Sequence, residues 1–339
     1  MVVQIHKRRC CMHVGWNERK EPTMNRVCQI LGITKPVVQA PMLWITSPEL
    51  VAAVSNAGGL GVLGFNAGTD VRRETAQETA EDMRAAIRRT KELTNKPFGI
   101  DIVPASADAG GYSTGIVDIM SEEGVKIMVL AGESFQESDV VPLKEEGFTI
   151  IARQLNPTIR DAKQLEAWGV DVIVATGCDE GGCMPCGSTG TMMQVALLAD
   201  AVSIPVLAAG GIINEKFARA SAILGAEGAF AGTRFILSKE CRAAEATKQN
   251  LLDTPQDDYV VFTQWGGASK WRSTPNPVVL AAFEANKAGN LDPAQGSYYE
   301  SELKGNLDAG VNSGSSVTSL IRSIDSCADI VADLARGYE

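Results

Sequence analysis

Short runs of apolar residues recur along the chain and are separated by segments with helical periodicity. Most of these runs are apolar at every position, which is typical of parallel strands that are buried on both faces. Eight runs predict strands, at residues 36–39, 61–63, 98–103, 126–130, 149–152, 170–174, 205–208 and 228–231. Helical patterns between them predict helices at residues 48–57, 75–93, 159–168, 191–200 and 215–224.

The repetition of strand and helix predicts the fold class. Right-handed crossovers between successive strands give a parallel sheet, and eight such units favour closure into a barrel over an open sheet. We therefore predict an α/β protein, a (β/α)₈ TIM barrel built from residues 24–250 and 317–339.

The alternation of strand and helix patterns does not continue in residues 251–316. This segment is rich in Gly, Pro, Ser and Asn and contains Trp265, Trp271, Tyr298 and Tyr299. We expect a small, mostly helical lid or insertion over the barrel mouth, and a peripheral decoration is the alternative. Apolar residues then recur at helical spacing over residues 317–334, which predicts an amphipathic helix that packs back on the barrel.

Composition limits the possible partners and compartments. The net charge is −10 and no basic stripe carries interleaved aromatic residues, so we expect no nucleic-acid partner. No apolar run is long enough to span a bilayer. Residues 1–23 are basic but lack the apolar core of a signal peptide, so we expect a disordered tail or an upstream mis-start. The eight cysteines then indicate a reducing cytoplasm rather than a disulfide framework.

A glycine pattern at residues 59–64 matches the dinucleotide-binding spacing G-x-G-x-x-G. That motif must follow a strand and open a helix. Here the glycines follow a predicted helix and lead into the second predicted strand. We interpret them as a tight helix-to-strand turn with close backbone packing.

Two glycine-containing turns follow the last two predicted strands. Gly210 and Gly211 end the seventh strand, and Gly232 and Thr233 follow the eighth. The loops after strands seven and eight form the usual phosphate site of barrel enzymes. Glycines let backbone amides approach phosphate oxygens, a helix N-terminus adds a favourable dipole, and a threonine hydroxyl can donate. The two turns therefore predict a phosphate-binding site.

A cysteine-containing loop, residues 177–187, follows the sixth predicted strand. Cys178, Cys183 and Cys186 have the spacing C-x₄-C-x₂-C, which one class of iron–sulfur protein uses. A fourth thiolate would have to come from a distant residue, so we expect no metal here. Both histidines, His6 and His13, precede the patterned region, so a histidine base is hard to build.

These segments resemble the FMN-dependent nitronate monooxygenases, once called 2-nitropropane dioxygenases, and the related enoyl-[acyl carrier protein] reductase II enzymes. The resemblance rests on residues 37–42, 56–61, 177–183 and 208–235. It implies non-covalent FMN and a set of binding residues. Ala40, Pro41 and Met42 should line the flavin ring, with Asp101 and Gln154 nearby, and Gly182, Gly210, Gly211, Gly232 and Thr233 should meet the ribityl phosphate.

The chain departs from the family in the cysteine-containing loop. Cys183 stands where the family has a histidine that is proposed to handle protons, and Glu180 replaces the usual alanine. The catalytic candidates are therefore Cys183 and Asp179, and Asp101 or water could also supply a proton. The alternative for Asp101 is a carboxylate that is hydrogen-bonded to backbone at a strand end.

The resemblance and its departure favour an FMN-dependent oxidoreductase that uses NADH or NADPH to reduce an enoyl thioester or a quinone-like acceptor. Three alternatives remain at this point: a nitronate monooxygenase that uses O₂, a flavin-binding protein with altered catalysis, and a flavin-free barrel acting on a phosphorylated substrate. We expect a small-molecule or acyl-thioester substrate, and a homodimer is left open. No concentrated basic patch indicates a docking site for acyl carrier protein.

Overall fold

The computed structural model describes residues 24–339. The expected basic tail or mis-start at residues 1–23, with both histidines, lies outside the described residues. No helix within residues 24–339 combines the length and the apolar character that crossing a bilayer requires.

Strands and helices alternate through most of this range. The strands are β1 Val37–Gln39, β2 Gly61–Leu63, β3 Phe98–Ile102, β4 Ile127–Gly132, β5 Thr149–Gln154, β6 Val172–Thr176, β7 Gly182–Pro185, β8 Val206–Ala209, β9 Gly228–Ala231, β10 Val260–Gln264 and β11 Ser269–Ser273. The helices are α1 Arg26–Leu31, α2 Pro48–Asn56, α3 Ala76–Leu93, α4 Tyr112–Glu122, α5 Glu137–Glu145, α6 Ile159–Ala167, α7 Thr191–Ala201, α8 Glu215–Ile223, α9 Thr233–Ile236, α10 Glu245–Asp253, α11 Pro277–Lys287 and α12 Cys327–Ala335.

Eight parallel strands form a barrel in the order β1-β9-β8-β6-β5-β4-β3-β2. The two ends of this order meet through a parallel bridge between Val38 and Leu60, which closes the sheet. The predicted TIM barrel is therefore confirmed, and the eight strands predicted from the apolar runs match the eight barrel strands.

The barrel interior is closed at its amino end. Val27 and Leu31 of α1 belong to the same buried cluster as Val129, Val174 and Leu207 of the barrel strands. Because α1 directly precedes β1, it packs at the end where the strands begin. The carboxyl ends of the strands are left to form a cavity, as in other barrel enzymes.

The glycine pattern at residues 59–64 connects α2 to β2, as its position in the sequence indicated. A Cβ atom on Gly61 would lie 2.3 Å from the carbonyl oxygen of Val51 in α2. This glycine is therefore required by close helix–strand packing, and the dinucleotide-binding alternative is not needed to explain it.

The segment over the barrel mouth contains helix α11, as expected, and also a β-hairpin that the sequence did not predict. Strands β10 and β11 pair antiparallel, and β11 pairs with β7 from the cysteine-containing loop, with Trp271 opposite Cys183. Ser269, Trp271 and Ser273 are buried while Lys270 and Arg272 are less so, which is the period-two pattern of a strand. The pairing with β7 joins segments that are far apart in the sequence.

The predicted C-terminal helix is shorter than expected. Helix α12 begins at Cys327, where the hydroxyl of Ser326 accepts a hydrogen bond from the amide of Asp329 and caps it. The preceding residues form only a 3-10 turn at Thr318–Leu320. The helix nevertheless buries Ile330, Val331 and Leu334, so its predicted packing on the barrel is confirmed.

Candidate active site

A cavity of about 270 Å³ opens at the carboxyl ends of the barrel strands. Its volume is close to the lower end of the range of about 300–1,000 Å³ for small-molecule pockets. The floor and walls come from the loops after β1, β6, β8 and β9 and from residues of β3, β4, β5, β7 and β9. The remaining wall is formed by residues 251–316, which we call the C-terminal segment. Its contributing residues are Trp271, Tyr298, Glu302, Ser313 and Ser315.

The two glycine turns lie on the same wall of the cavity. Gly210, Gly211, Gly232 and Thr233 all line it. They meet because β8 and β9 are neighbours in the barrel, with Ala209 opposite Phe230 at their ends. Gly210 and Gly211 have φ angles of +108° and +70°, which favour glycine. The predicted convergence of the two turns is thus present in the structure.

Beside Gly232 is a space that no atom of residues 24–339 fills. A Cβ atom there would approach only the Cβ of Ala40, at 3.7 Å, which is an ordinary contact. Its φ of −105° is also compatible with other residues. Neither the backbone conformation nor packing against the described part of the chain requires glycine here, so the open space fits a ligand that approaches the backbone.

The loop after β1 contributes Ala40, Pro41 and Met42 to the cavity, as expected. The amide of Ala40 donates to the carbonyl oxygen of Ala231 at 2.9 Å, and the amide of Met42 donates to the hydroxyl of Thr46 at 2.9 Å. The first bond holds the loop against the end of β9, beside the glycine turns, and the second fixes the loop's own conformation.

The cysteine-containing loop is clamped by the C-terminal segment. Arg272 donates from Nη1 to the carbonyl oxygen of Glu180 at 2.6 Å and from Nη2 to that of Cys178 at 3.0 Å. A Cβ atom on Gly181 would lie 2.5 Å from the carbonyl carbon of Gly314, so the two backbones approach closely. These contacts place Gly182 and Cys183 in the cavity wall.

A buried ion pair lies at the centre of the site. Nη2 of Arg153, at the end of β5, donates to Oε2 of Glu180 at 2.5 Å and to the carbonyl oxygen of Cys183 at 3.2 Å. The two side chains are only 17% and 12% exposed. Burial acts to lower the pKa of Arg153, but Glu180 and Asp101 outweigh this effect and the pKa rises above its ordinary value. Arg153 is therefore a fixed positive charge in the cavity.

Asp101 lies on the cavity wall near the end of β3 and faces this positive charge. Its Oδ1 atom is buried and has no hydrogen-bond partner among the described residues. The alternative from the sequence, a carboxylate bonded to backbone at the strand end, is therefore wrong. Burial raises the pKa of Asp101 to about 7, and the positive charge of Arg153 opposes this rise.

The C-terminal segment adds a second buried carboxyl group. Oε1 of Glu302 accepts a hydrogen bond from the amide of Ser313 at 3.1 Å. Burial raises the pKa of Glu302 to about 7, and its hydrogen bonds with Ser313 oppose this rise. Tyr298 packs beside it, and its ring centroid is 5.4 Å from that of Trp271. Tyr298 and Glu302 are one helical turn apart, so a single π-helical turn, Tyr299–Leu303, helps to direct both into the cavity.

The three cysteines of the loop have different environments. Cys183 lines the cavity, and burial raises the pKa of its thiol to about 11. Cys178 is partly buried, and Cys186 is exposed and contacts Oδ1 of Asn156 at 3.1 Å. Within residues 24–339, no group of three or more Cys, His, Asp or Glu side chains has an arrangement that could hold a metal ion.

Two of the expected site residues do not line the cavity. Oδ2 of Asp179 accepts from the amide of Thr191 at 2.8 Å, and Oδ1 accepts from Ser316 at 2.9 Å. These bonds hold Asp179 at the start of α7, and its catalytic role stays a prediction. Nε2 of Gln154 donates to the carbonyl oxygen of Glu133 and to Asp161, both at 3.1 Å. Its neighbour Arg153 lines the cavity, and the contact of Gln154 with a cofactor stays a prediction.

Sequence reasoning missed several residues of the site: Arg153, Trp271, Tyr298, Glu302 and Ser313. The sequence could have indicated Arg153, because it is a charged residue at the end of an apolar strand. Successive side chains of a strand point to opposite faces, so one of the two residues at this end must face the barrel interior. The others come from the C-terminal segment, and no local pattern indicates that they face the barrel mouth.

The residues present fit FMN. Two backbone turns and a helix start converge on one wall, the space beside Gly232 is free, and the chain supplies apolar groups and a fixed positive charge next to it. A phosphate-bearing planar cofactor needs these features.

A closed (β/α)₈ barrel with a cavity and two glycine turns at the carboxyl ends of its strands has the architecture of barrel enzymes. The family model described as nitronate monooxygenase matches residues 24–337, so the chain belongs to the nitronate monooxygenase family.

Relatives in this family carry different names. A (3aS,4S,5R,7aS)-5-hydroxy-7a-methyl-1-oxo-octahydro-1H-indene-4-carboxyl-CoA dehydrogenase of Mycobacterium tuberculosis is 35% identical over 245 residues, which cover 70% of this chain and 63% of that protein. The chain thus spans less than two thirds of that relative. A nitronate monooxygenase of Paraburkholderia phytofirmans is 30% identical over 364 residues, covering 91% of this chain and 93% of that protein.

Solved structures agree with the fold. FabK from Thermotoga maritima has a TM-score of 0.77 at 27% identity and covers 93% of this chain and 96% of its own. A nitroalkane oxidase from Streptomyces ansochromogenes has a TM-score of 0.69 at 22% identity, covering 92% and 98%, which shows a shared fold.

Proposed function

We propose that this protein is an FMN-dependent oxidoreductase that uses NADH or NADPH to reduce an enoyl thioester or a quinone-like acceptor. The observation that carries the proposal is the wall formed by Gly210, Gly211, Gly232 and Thr233, next to a cavity whose charged groups are two arginines, Arg153 and Arg234, and carboxyl groups.

In this proposal the backbone amides of the two glycine turns and the hydroxyl of Thr233 hold the phosphate of FMN. Gly182 contributes to the same phosphate contacts. Ala40, Pro41 and Met42 hold the flavin ring, and Asp101 lies near it. When bound, FMN supplies hydride transfer between the nicotinamide and the acceptor. Trp271 and Tyr298 exclude water from the cavity side that faces the C-terminal segment.

Two observations favour reduction of an acceptor over oxidation of a nitronate. The position of the family histidine is Cys183, whose thiol has a pKa of about 11 and therefore makes a poor base near neutral pH. The relative from M. tuberculosis is named for a carboxyl-CoA substrate, which supports an acyl thioester as the substrate class.

Nitronate oxidation with O₂ is the second candidate. It is supported by the name of the P. phytofirmans relative, which matches this chain along nearly its whole length. A flavin-binding protein with altered catalysis is the third candidate, because Cys183 and Glu180 change the loop that the family uses for proton handling.

The purified protein should be yellow, and its visible absorption should bleach under anaerobic conditions when NADH or NADPH is added. Re-oxidation by crotonyl-CoA or by a benzoquinone, compared with O₂ uptake on a nitronate, separates the candidates. Fast nitronate turnover would favour the second candidate, and a flavin that neither nicotinamide reduces would favour the third. A protein that stays colourless after FMN addition would overturn the flavin assignment.

A further inference from the structure

The carboxyl group of Asp101, on the cavity wall, has a buried oxygen that accepts no hydrogen bond from the described residues. Asp101 lines the cavity, Oδ1 is buried without a partner, and no hydrogen bond joins either carboxyl oxygen to residues 24–339. A buried polar group without a partner costs about 1–3 kcal/mol. Such a group on a cavity wall indicates that its partner is something that enters the cavity.

The surroundings of Asp101 are suited to releasing a proton. The strands that flank β3 present no charge to Asp101, since Val62, Leu63 and Val129 are its nearest positions in register. The charged groups that share the cavity are Arg153 of β5, with Glu180 bound to it, Glu302, and Arg234, which is bound to Asp325. Arg153 stabilises the carboxylate that remains after a proton has left.

The other acidic groups of the site are less suitable. Asp179 lies outside the cavity, and both its oxygens accept hydrogen bonds from the protein. Cys183 lines the cavity, but its thiol has a pKa of about 11 and is a weak acid. Glu302 accepts a hydrogen bond from the amide of Ser313, and burial, rather than a cation of residues 24–339, dominates the shift of its pKa.

We propose that Asp101 is the proton donor to the acceptor substrate and takes the place of the histidine that the loop lacks. This inference rests on the proposed function, which supplies the hydride. When an enoyl thioester is reduced, NAD(P)H is oxidised to NAD(P)⁺ and its hydride reaches the β carbon. The O–H bond of Asp101 breaks as a C–H bond forms at the α carbon, and the carboxylate remains beside Arg153 until water re-protonates it.

The test compares Asp101→Asn with the wild-type holoenzyme in the two half-reactions. Asparagine has nearly the same shape but cannot donate an acidic proton. We expect Asp101→Asn to keep bound FMN and its reduction by NAD(P)H, but to lose about 10²–10⁴-fold in re-oxidation by crotonyl-CoA. The wild-type re-oxidation rate should fall as the pH rises through about 7, where Asp101 loses its proton, and this limb should be absent in the variant.

Glu302→Gln is the matched control, because Glu302 is the other cavity carboxyl with a pKa of about 7. We expect this variant to keep the pH limb. Loss of the limb in Glu302→Gln, or its survival in Asp101→Asn, would overturn the inference while leaving the proposed function intact. A wild-type protein that NAD(P)H does not reduce would instead overturn the proposed function.

A second measurement does not depend on flavin chemistry. Infrared difference spectra of the flavin-free protein between pH 5 and pH 9, values chosen to lie on either side of about 7, should show a protonated carboxylic acid band. Asp101→Asn should remove part of its intensity. An unchanged band in a folded variant would show that Asp101 is already ionised, and the inference would fail.

Discussion

The space beside Gly232 gives the sharpest test of the phosphate site. Replacing Gly232 with alanine adds a methyl group that would contact only Ala40, at 3.7 Å, and the φ of −105° suits alanine. The folded protein should therefore keep its stability to within about 0.5 kcal/mol. If a phosphate occupies this space, the methyl group displaces it from at least one backbone amide.

The expected loss of FMN affinity follows from the loss of one hydrogen bond between a backbone amide and the phosphate. A hydrogen bond to a charged group contributes about 1.5–3 kcal/mol. At 1.4 kcal/mol for each tenfold change, Gly232→Ala should weaken FMN binding by about 10- to 150-fold. Quenching of flavin fluorescence during titration of the apoprotein measures the affinity, and urea denaturation of the apoprotein measures the free energy of unfolding.

Gly211→Ala is the matched control because its methyl group affects the protein itself. Gly211 has a φ of +70°, and its Cβ would lie 3.2 Å from Cγ2 of Val317. This variant should lose about 1–2 kcal/mol of unfolding free energy. Unchanged FMN affinity in a stable Gly232→Ala protein would refute the placement of the phosphate at Gly232.

Three further variants test the charges and the clamp of the site. Glu180→Gln leaves Arg153 without its partner and should lower the free energy of unfolding by about 3 kcal/mol, measured by urea denaturation; an unchanged midpoint would contradict the buried pair. Glu302 has a folded-state pKa of about 7, above its ordinary 4.5, so its contribution to stability is complete at low pH and is lost as the pH rises to about 7. In Glu302→Gln the free energy of unfolding should therefore fall less between pH 4.5 and about 7 than in the wild type. An identical pH profile of stability would contradict the raised pKa of Glu302. Arg272→Met removes two hydrogen bonds to the cysteine-containing loop and should speed its proteolysis, whereas wild-type cleavage rates would show that the clamp is not needed.

The sequence predicted the barrel because its strands are continuous apolar runs whose spacing reflects burial on both faces. It predicted the position of the glycine turns because the last two strands of a closed barrel must be neighbours, as β8 and β9 are. These features depend on local pattern and on general rules of connection.

The sequence did not predict the parts of the site that depend on distant pairing. The hairpin β10–β11 joins the cysteine-containing loop through β7, and this contact brings Trp271 opposite Cys183. The sequence did not indicate the bonds of Asp179 to Thr191 and Ser316, because these residues meet only in three dimensions. Arg153 and Gln154 are adjacent in β5, so their side chains point to opposite sides of the strand. Only Arg153 lines the cavity.

The central claim is that backbone amides at Gly210, Gly211, Gly232 and Thr233 bind the phosphate of a flavin. The most direct test compares the affinities of the wild-type apoprotein for FMN and for riboflavin, which has the same ring system but no phosphate. We predict that FMN binds at least about 100-fold more tightly, since two or more charge-assisted hydrogen bonds depend on the phosphate. Equal affinities for the two flavins would contradict the account.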